Sequence, residues 1–335
     1  MAAASPPDLA LRLREAFDQL WPGDDLAPGK DLLRHAADAA LTAPGKLLRG
    51  HMLLEVCSAL GGRCEQALPA AVAIEYLHLG TLIHDDLIDR DELRRGRPTI
   101  WKRYGDHLAL LSGDVLYFAA FRELACCLET VQHALSVRVL GMFSAACMDL
   151  CLGQAREEEV AGQCSTGYEQ YLEIARLKTA RLFRVALEIG TLLGGGSERQ
   201  IRAAGVFAEH LGIAFQLIDD RLPFIEDSQT IGKGTTSDIR NHRMTAPVLF
   251  ALAAADASDR QTLQAIFEGG CLDAHIEEAY LSVREILERT GALEGVKEEA
   301  MRYYHLAARH IQAFSPADGR ERLLTLAHQF VYRKR

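Results

Sequence analysis

His84–Pro98, HDDLIDRDELRRGRP, follows directly on uncharged helix formers and packs five acids and four arginines into fifteen residues. On a helix, an advance of four residues returns to nearly the same face, so Asp85 and Asp89 project together and Asp86 lies to one side. Unpaired carboxylates one turn apart repel unless something cationic sits between them. A few hard oxygen ligands of this kind hold Mg²⁺ while leaving coordination positions for water and phosphate oxygens. Just beyond the helix, Arg94, Arg95 and Arg97 supply planar, permanently charged donors that match phosphate oxygens. Acids for a metal and arginines for a phosphate in one unit point to a binding site and not to a solvated helix end.

The same helical reading extends along the chain. Apolar residues recur at intervals of three and four, as in Leu9, Leu13, Phe17, Leu20 and in Leu48, Met52, Leu53, Val56, Leu60, and no long alternating stretch signals a sheet. The expected fold is all-α, one helical domain over 1–335. Breakers divide it at PGDD (22–25), Gly61-Gly62, RRGRP (94–98), 162–167, GGGS (194–197) and the polar stretch 227–243.

With 335 residues and 49% apolar content the chain can bury a large core. Its formal net charge of -9, with no basic tract, argues against nucleic acid and against electrostatic docking on anionic membranes. Eight scattered cysteines without a CxxC spacing are expected as reduced thiols, with Cys147 and Cys151 acting as small buried apolar residues. The N-terminal segment lacks the pattern of a signal peptide and no apolar run is expected to span a bilayer, so the expected location is the cytoplasm.

A second acidic stretch, FQLIDDRLPFIED, places Asp219 and Asp220 after an apolar helix with Gln216 one turn earlier. One turn past Asp219 stands Pro223. Proline cannot donate to the carbonyl four residues back, so the helix is expected to bend or end there, and a third carboxylate is missing.

Taken together, these motifs resemble the trans-isoprenyl diphosphate synthase (polyprenyl synthetase) family. Asp85, Asp86, Asp89, Arg94, Arg95 and Gly96 fit its DDxxD and RRG elements without a gap. GKLLR resembles its GKxxR element through Lys46 and Arg49, with Gly50 where proline usually follows. GQARE fits GQxxD/E through Gly153, Gln154 and Glu157. His78, Lys178, Thr179, Gln216 and Lys233 fall in the family's order, and Arg243 stands where lysine is usual. The second motif departs from DDxxD by reading DDRLP.

The resemblance implies a helical bundle with a central active-site cavity. It further implies a homodimer, and Mg²⁺, three ions per site, bound through Asp85, Asp89, Asp219 and Asp220. Its substrates would be an allylic diphosphate and isopentenyl diphosphate. Arg94, Lys178, Thr179 and Lys233 would then contact the allylic partner, Lys46, Arg49, His78 and Arg95 the acceptor, and Gln216 and Arg243 would also bind substrate. Product length is implied to depend on bulk just before the first motif, where Gly80 and Thr81 leave room for a geranylgeranyl chain; close helix packing is an equal explanation of Gly80. The altered second motif keeps two rivals in view: a cyclase or a prenyltransferase to another acceptor, and a non-catalytic synthase subunit.

Overall fold

The computed structural model describes residues 8–19, 31–42, 45–225, 235–269, 275–313 and 317–331. Helices follow one another almost without interruption: α1 Leu9–Gln19, α2 Asp31–Leu41, α3 Leu48–Ala59, α4 Cys64–Ile88, α5 Ile100–Tyr104, α6 Asp106–Leu128, α7 His133–Val160, α8 Tyr168–Ala175. A π-helical turn, Arg176–Ala180, leads into α9 Arg181–Leu193 and α10 Glu198–Ile225. Thereafter come α11 Ser237–Arg240, α12 Ala246–Ala254, α13 Ala257–Phe267, α14 Ile276–Arg289, α15 Ala292–His310 and α16 Ala317–Val331. The fold is all-α, as the apolar period implies. Among the described residues the extended structure is one tiny antiparallel ribbon, β1 Leu93–Arg94 with β2 Arg97–Pro98.

Two long helices occupy the middle of the bundle, and a connected apolar core extends around them from Leu9 to Ala327. Helix α4 packs against α1, α3, α6 and α9, and α10 against α9, α12, α15 and the π turn. Each is apolar on most of its circumference, which suits a helix surrounded by others, and each ends in an acidic pair. The architecture therefore delivers two sets of carboxylates to the ends of two long core helices.

The π turn is held from two sides by glycines. A Cβ on Gly212 of α10 would lie 2.4 Å from the Ala180 Cα, and one on Gly153 of α7 would lie 2.7 Å from the Lys178 backbone nitrogen. Helices approach this closely only where a side chain is missing. A π turn inserts an extra residue into the helical register and commonly marks a functional site; here it turns Lys178 and Thr179 toward the interior cleft.

Three expectations need correction. Pro223 does not stop α10, which continues to Ile225; the Pro223 carbonyl accepts the Tyr280 hydroxyl at 2.8 Å. Three helices, α4, α7 and α10, are also long and apolar enough by length and composition to cross a membrane, where no such run was expected. In α4 and α10 that apolar surface belongs to the core, being 67% and 61% buried, whereas the corresponding window of α7 is only 22% buried. Cys151 on α7 is exposed and Cys147 half-buried, so the expected pair of buried thiols is not formed.

Because backbone atoms face Gly212, the neighbour cannot give way. Gly212→Val is expected to separate α10 from the π turn and to cost about 1–3 kcal/mol, read as a fall in the thermal unfolding midpoint relative to the unaltered chain. An unchanged midpoint would show that the contact is not tight.

Candidate active site

The first acidic motif meets its counter-charges on other elements. Lys178 Nζ donates to Glu157 Oε2 at 2.5 Å and lies 3.7 Å from Asp85 Oδ1. Arg243, buried, places Nη2 at 2.5 Å from Asp89 Oδ1 and 2.7 Å from Glu158 Oε1, with Nη1 3.4 Å from Glu157 Oε2. A guanidinium thus ties three carboxylates from α4 and α7 together, which a single lysine nitrogen does less well, since its donors share one point. Burial pushes the Asp85 carboxyl up, with Asp89 and Glu157 adding to it, while Lys178 pulls it down. Burial pulls Lys178 down, but Asp85, Glu157 and Asp89 outweigh it and push the ammonium up. The lysine is therefore held charged.

Asp86 points elsewhere. It is buried and accepts Arg94 Nε at 2.6 Å, so it orients the arginine and does not share the Asp85–Asp89 face. Arg94 begins the turn of the β ribbon, whose two central residues, Arg95 and Gly96, both have positive φ (52° and 72°). A two-residue hairpin turn of that hand requires positive φ at both central positions, which accounts for the glycine after Arg95. The turn brings the Arg95 guanidinium against Gly45, whose Cβ would lie 2.4 Å from Nη2.

A second basic group forms behind it. His78 is held neutral, its imidazole pushed well below the usual range by burial and by Arg49, Arg95 and Arg94. Arg49 is buried with its guanidinium 4.2 Å from the centre of the Phe183 ring, and Lys46 is exposed just before α3. Beneath them Glu75 of α4, buried, accepts the Gly50 N–H at 2.7 Å. That bond satisfies a first-turn donor of α3, whose N-cap residue, Leu47, offers no capping side chain and has a left-handed φ of 48°. Sequence grouped Lys46, Arg49, His78 and Arg95 and assigned Arg94 to the allylic partner, whereas the structure brings Arg49, Arg95 and Arg94 around His78. Glu75 was missed; its one signal was a carboxylate alone in the apolar run from Ala67 to Leu77.

On the other side, Thr179 Oγ1 donates to Gln216 Oε1 at 2.5 Å, and Gln216 Nε2 to Asp220 Oδ1 at 2.7 Å. Asp220 Oδ2 accepts the Tyr171 hydroxyl at 2.8 Å and the Ala246 N–H at 3.1 Å. Burial pushes its carboxyl up to about 7, and through these bonds Asp220 holds α8, α10 and α12 together while also lining the cleft. Asp219 is exposed. Lys233 lies outside the described residues, as does Glu226.

Lys178, Glu157 and Arg243, which touch the first motif, share an open cleft of about 400 Å³ with Thr179, Gln216 and Asp220 of the second side. In the ion-pair cluster that adjoins it, four carboxylates (Asp85, Asp89, Glu157, Glu158) face two cations (Lys178, Arg243), and four minus two leaves two formal negative charges in excess within that cluster. That excess, on hard oxygens, fits a divalent cation. Among the described residues no group of three or more His, Cys, Asp or Glu side chains is spaced to hold a metal by itself, so such an ion takes its remaining oxygens from water and from a diphosphate.

At the chain-length positions the structure favours the packing explanation of Gly80. A Cβ on Gly80 would lie 2.6 Å from the Tyr117 ring, and the Thr81 hydroxyl donates to the His78 carbonyl at 2.7 Å. Gly80 therefore serves α4–α6 packing, and the space beside it is filled by Tyr117. Neither Tyr76, whose hydroxyl donates to the Phe17 carbonyl at 2.9 Å, nor Phe118, 73% exposed, turns toward that space.

Comparison with known proteins agrees with this geometry. The Polyprenyl synthetase family model matches residues 30–283. The chain belongs to the polyprenyl synthetase family. It is 34% identical over 318 residues to the short chain isoprenyl diphosphate synthase of Methanothermobacter thermautotrophicus, covering 94% of this chain and 92% of that one. To the geranylgeranyl diphosphate synthase of Methanosarcina mazei it is 32% identical, covering 95% and 94%. The crystal structure of geranylgeranyl pyrophosphate synthetase from Pyrococcus horikoshii superposes with a TM-score of 0.85 at 31% identity, covering 98% and 99%. That of a Caulobacter crescentus polyprenyl synthase complexed with calcium and isoprenyl diphosphate gives 0.87 at 27%, covering all of both chains. This polyprenyl synthetase is thus a prenyltransferase.

Two further tethers join the site's halves, and neither was visible in the sequence. The buried Asp91 carboxylate accepts the Ser237 hydroxyl, and Asn241 Nδ2 donates to the Asp89 carbonyl at 2.9 Å. They bind α11 and the segment carrying Arg243 to the end of the first motif. Ser237→Ala leaves a buried acceptor less satisfied and is expected to lower stability by about 1–3 kcal/mol, whereas Ser237→Thr retains the hydroxyl and most of the stability. Urea unfolding of the three proteins checks this; equal midpoints would remove the tether.

Proposed function

We propose that this prenyltransferase condenses an allylic diphosphate with isopentenyl diphosphate to give a short-chain trans-prenyl diphosphate, with geranylgeranyl diphosphate as the product. The observation that carries this is the pairing of two groups: the Asp85–Asp89–Lys178–Arg243 cluster, which would take a diphosphate through divalent cations, and the basic Arg49–His78–Arg94–Arg95 group. A cyclase has no use for the second, since it acts on one diphosphate. The names of the relatives in Methanosarcina mazei and Pyrococcus horikoshii favour the geranylgeranyl product.

In this reading three Mg²⁺ ions supply Lewis-acid stabilisation of the leaving diphosphate. Asp85 and Asp89 offer the metal-facing carboxylates, and Asp219 the third contact from α10. Lys178, held charged, stabilises charge that grows on the leaving oxygens as the allylic carbon–oxygen bond breaks; this is preorganised electrostatics with no protein nucleophile. Arg49, Arg95 and neutral His78 hold the acceptor's diphosphate so that its double bond meets the allylic carbon. Proton loss from the adduct then completes the condensation.

The active unit in this proposal is a homodimer. Its support is the exposed apolar surface shared by α6 and α7, with Leu111 and Phe118 on one helix and Val137, Leu140, Met148 and Leu152 on the other. Exposed apolar side chains gathered on two neighbouring helices support an interface, and a second copy presents the same surface in return.

Incubation with Mg²⁺, isopentenyl diphosphate and dimethylallyl, geranyl or farnesyl diphosphate, followed by product mass analysis, is expected to yield geranylgeranyl diphosphate. Asp85→Asn is expected to lower kcat by at least about 100-fold with the circular-dichroism melt unchanged; full activity would refute the metal assignment. Since α10 continues past position 223, Pro223→Asp projects a carboxylate one turn beyond Asp219. It is expected to lower the Mg²⁺ concentration at half-maximal rate, and an unaltered requirement would count against Asp219 as a ligand.

A further inference from the structure

Outside the cleft, two thiols meet at the corner between α3 and α4. Cys57 lies in the last turn of α3 and Cys64 is the first residue of α4, with the Gly61-Gly62 turn between them. The ionisation of each thiol is set first by the other, so the two sulfurs are neighbours. A Cβ on Gly62 would lie 2.6 Å from Cys57 Sγ, and Cys64 Sγ is 3.9 Å from the Leu54 carbonyl oxygen, so both sulfurs occupy the same corner. Their exposure differs in a useful way: Cys57 is buried and Cys64 half-buried.

That asymmetry assigns roles. Cys64 opens a 25-residue helix, where unpaired backbone N–H groups and the helix dipole favour a thiolate. The neighbouring Cys57 thiol pushes Cys64 down to about 7 and is itself pushed up, while burial and Glu65 oppose the Cys64 thiolate and Ser58 and Arg12 favour it. Cys127 is the third sulfur nearby. It is buried, donates to the Gln66 carbonyl at 3.1 Å, and burial pushes it up to about 11, so it is the less reactive neighbour.

We propose that Cys57 and Cys64 are a redox-modification site that closes to a reversible intramolecular disulfide, with Cys64 attacking the oxidant and Cys57 resolving. The oxidant class is a hydroperoxide. The Cys64 thiolate attacks one peroxide oxygen, the O–O bond breaks, and the other oxygen leaves and takes up a proton; Cys64 is then a sulfenic acid. The Cys57 sulfur attacks the Cys64 sulfur, the S–O bond breaks, and water departs with the Cys57 proton. Two thiols have given up two electrons and the peroxide has accepted them. A dithiol reductant reverses the bond. The link joins the end of α3, which carries Arg49, to the start of α4, which carries Asp85 and Asp89.

The full chain is treated with hydrogen peroxide at low molar excess, blocked with an alkylating reagent and mapped by peptide mass spectrometry. The expected result is a Cys57–Cys64 linked peptide lacking two hydrogens, a loss of two titratable thiols, and recovery of both on adding dithiothreitol. Cys127→Ser is expected to leave the link intact, and Cys64→Ser to leave Cys57 reduced under the same dose, with folding checked by thermal melt. The proposal is overturned if Cys64 proceeds to sulfinic acid while Cys57 stays a thiol, if Cys64 links to Cys127, or if both remain reduced while other cysteines oxidise. None of these readouts depends on catalysis.

Discussion

Carboxylates cannot be gathered in a partly buried cleft without cations to answer them, and the rest of this molecule is arranged around that requirement. Like charges about 6 Å apart repel by about 3 kcal/mol at an effective dielectric of about 20, and Asp85 and Asp89 are joined in the cleft by Glu157 and Glu158. Lys178 and Arg243 reduce that repulsion without abolishing it. The remaining negative excess is what makes the site receptive to divalent cations, and the cations in turn make it receptive to a diphosphate.

The two basic residues arrive by different devices. Lys178 comes from a π turn that Gly153 and Gly212 allow to sit close between α7 and α10. Arg243 comes from the segment after α11, docked by Ser237 on Asp91 and by Asn241 on the Asp89 carbonyl. One counter-charge is therefore placed by helix packing and the other by side-chain hydrogen bonds. Across α4, Asp86 turns Arg94 and Glu75 steadies the start of α3, so acids outside the cleft set the positions of the second basic group.

The second acidic pair has been reworked in the same sense. Asp220, with three donors on its two oxygens, is a junction among α8, α10 and α12, and Pro223 stands where a third carboxylate would continue the Asp219 face. The positive side of the site shows the complementary change: an arginine replaces the usual lysine and gathers three carboxylates. Fewer acids on α10 and a broader cation opposite α4 move the balance of charge toward the first motif.

Much of this was legible in sequence because the signals are local. A period of three and four apolar residues specifies helices, and DDLID followed by RRGRP specifies a metal-and-phosphate unit, since spacing on one helix face depends on nothing else in the chain. Gly96 was equally local, a consequence of the hairpin's positive φ. What spacing could not convey was contact across elements: that Gly80 is small because Tyr117 of α6 lies against it, that Asp86 and Asp220 are committed to Arg94 and Tyr171, that Asp91 holds Ser237. Helix period decides which face a residue occupies, but only the packing of one helix on another decides what that face meets, and a carboxylate becomes a ligand or a support according to its neighbour.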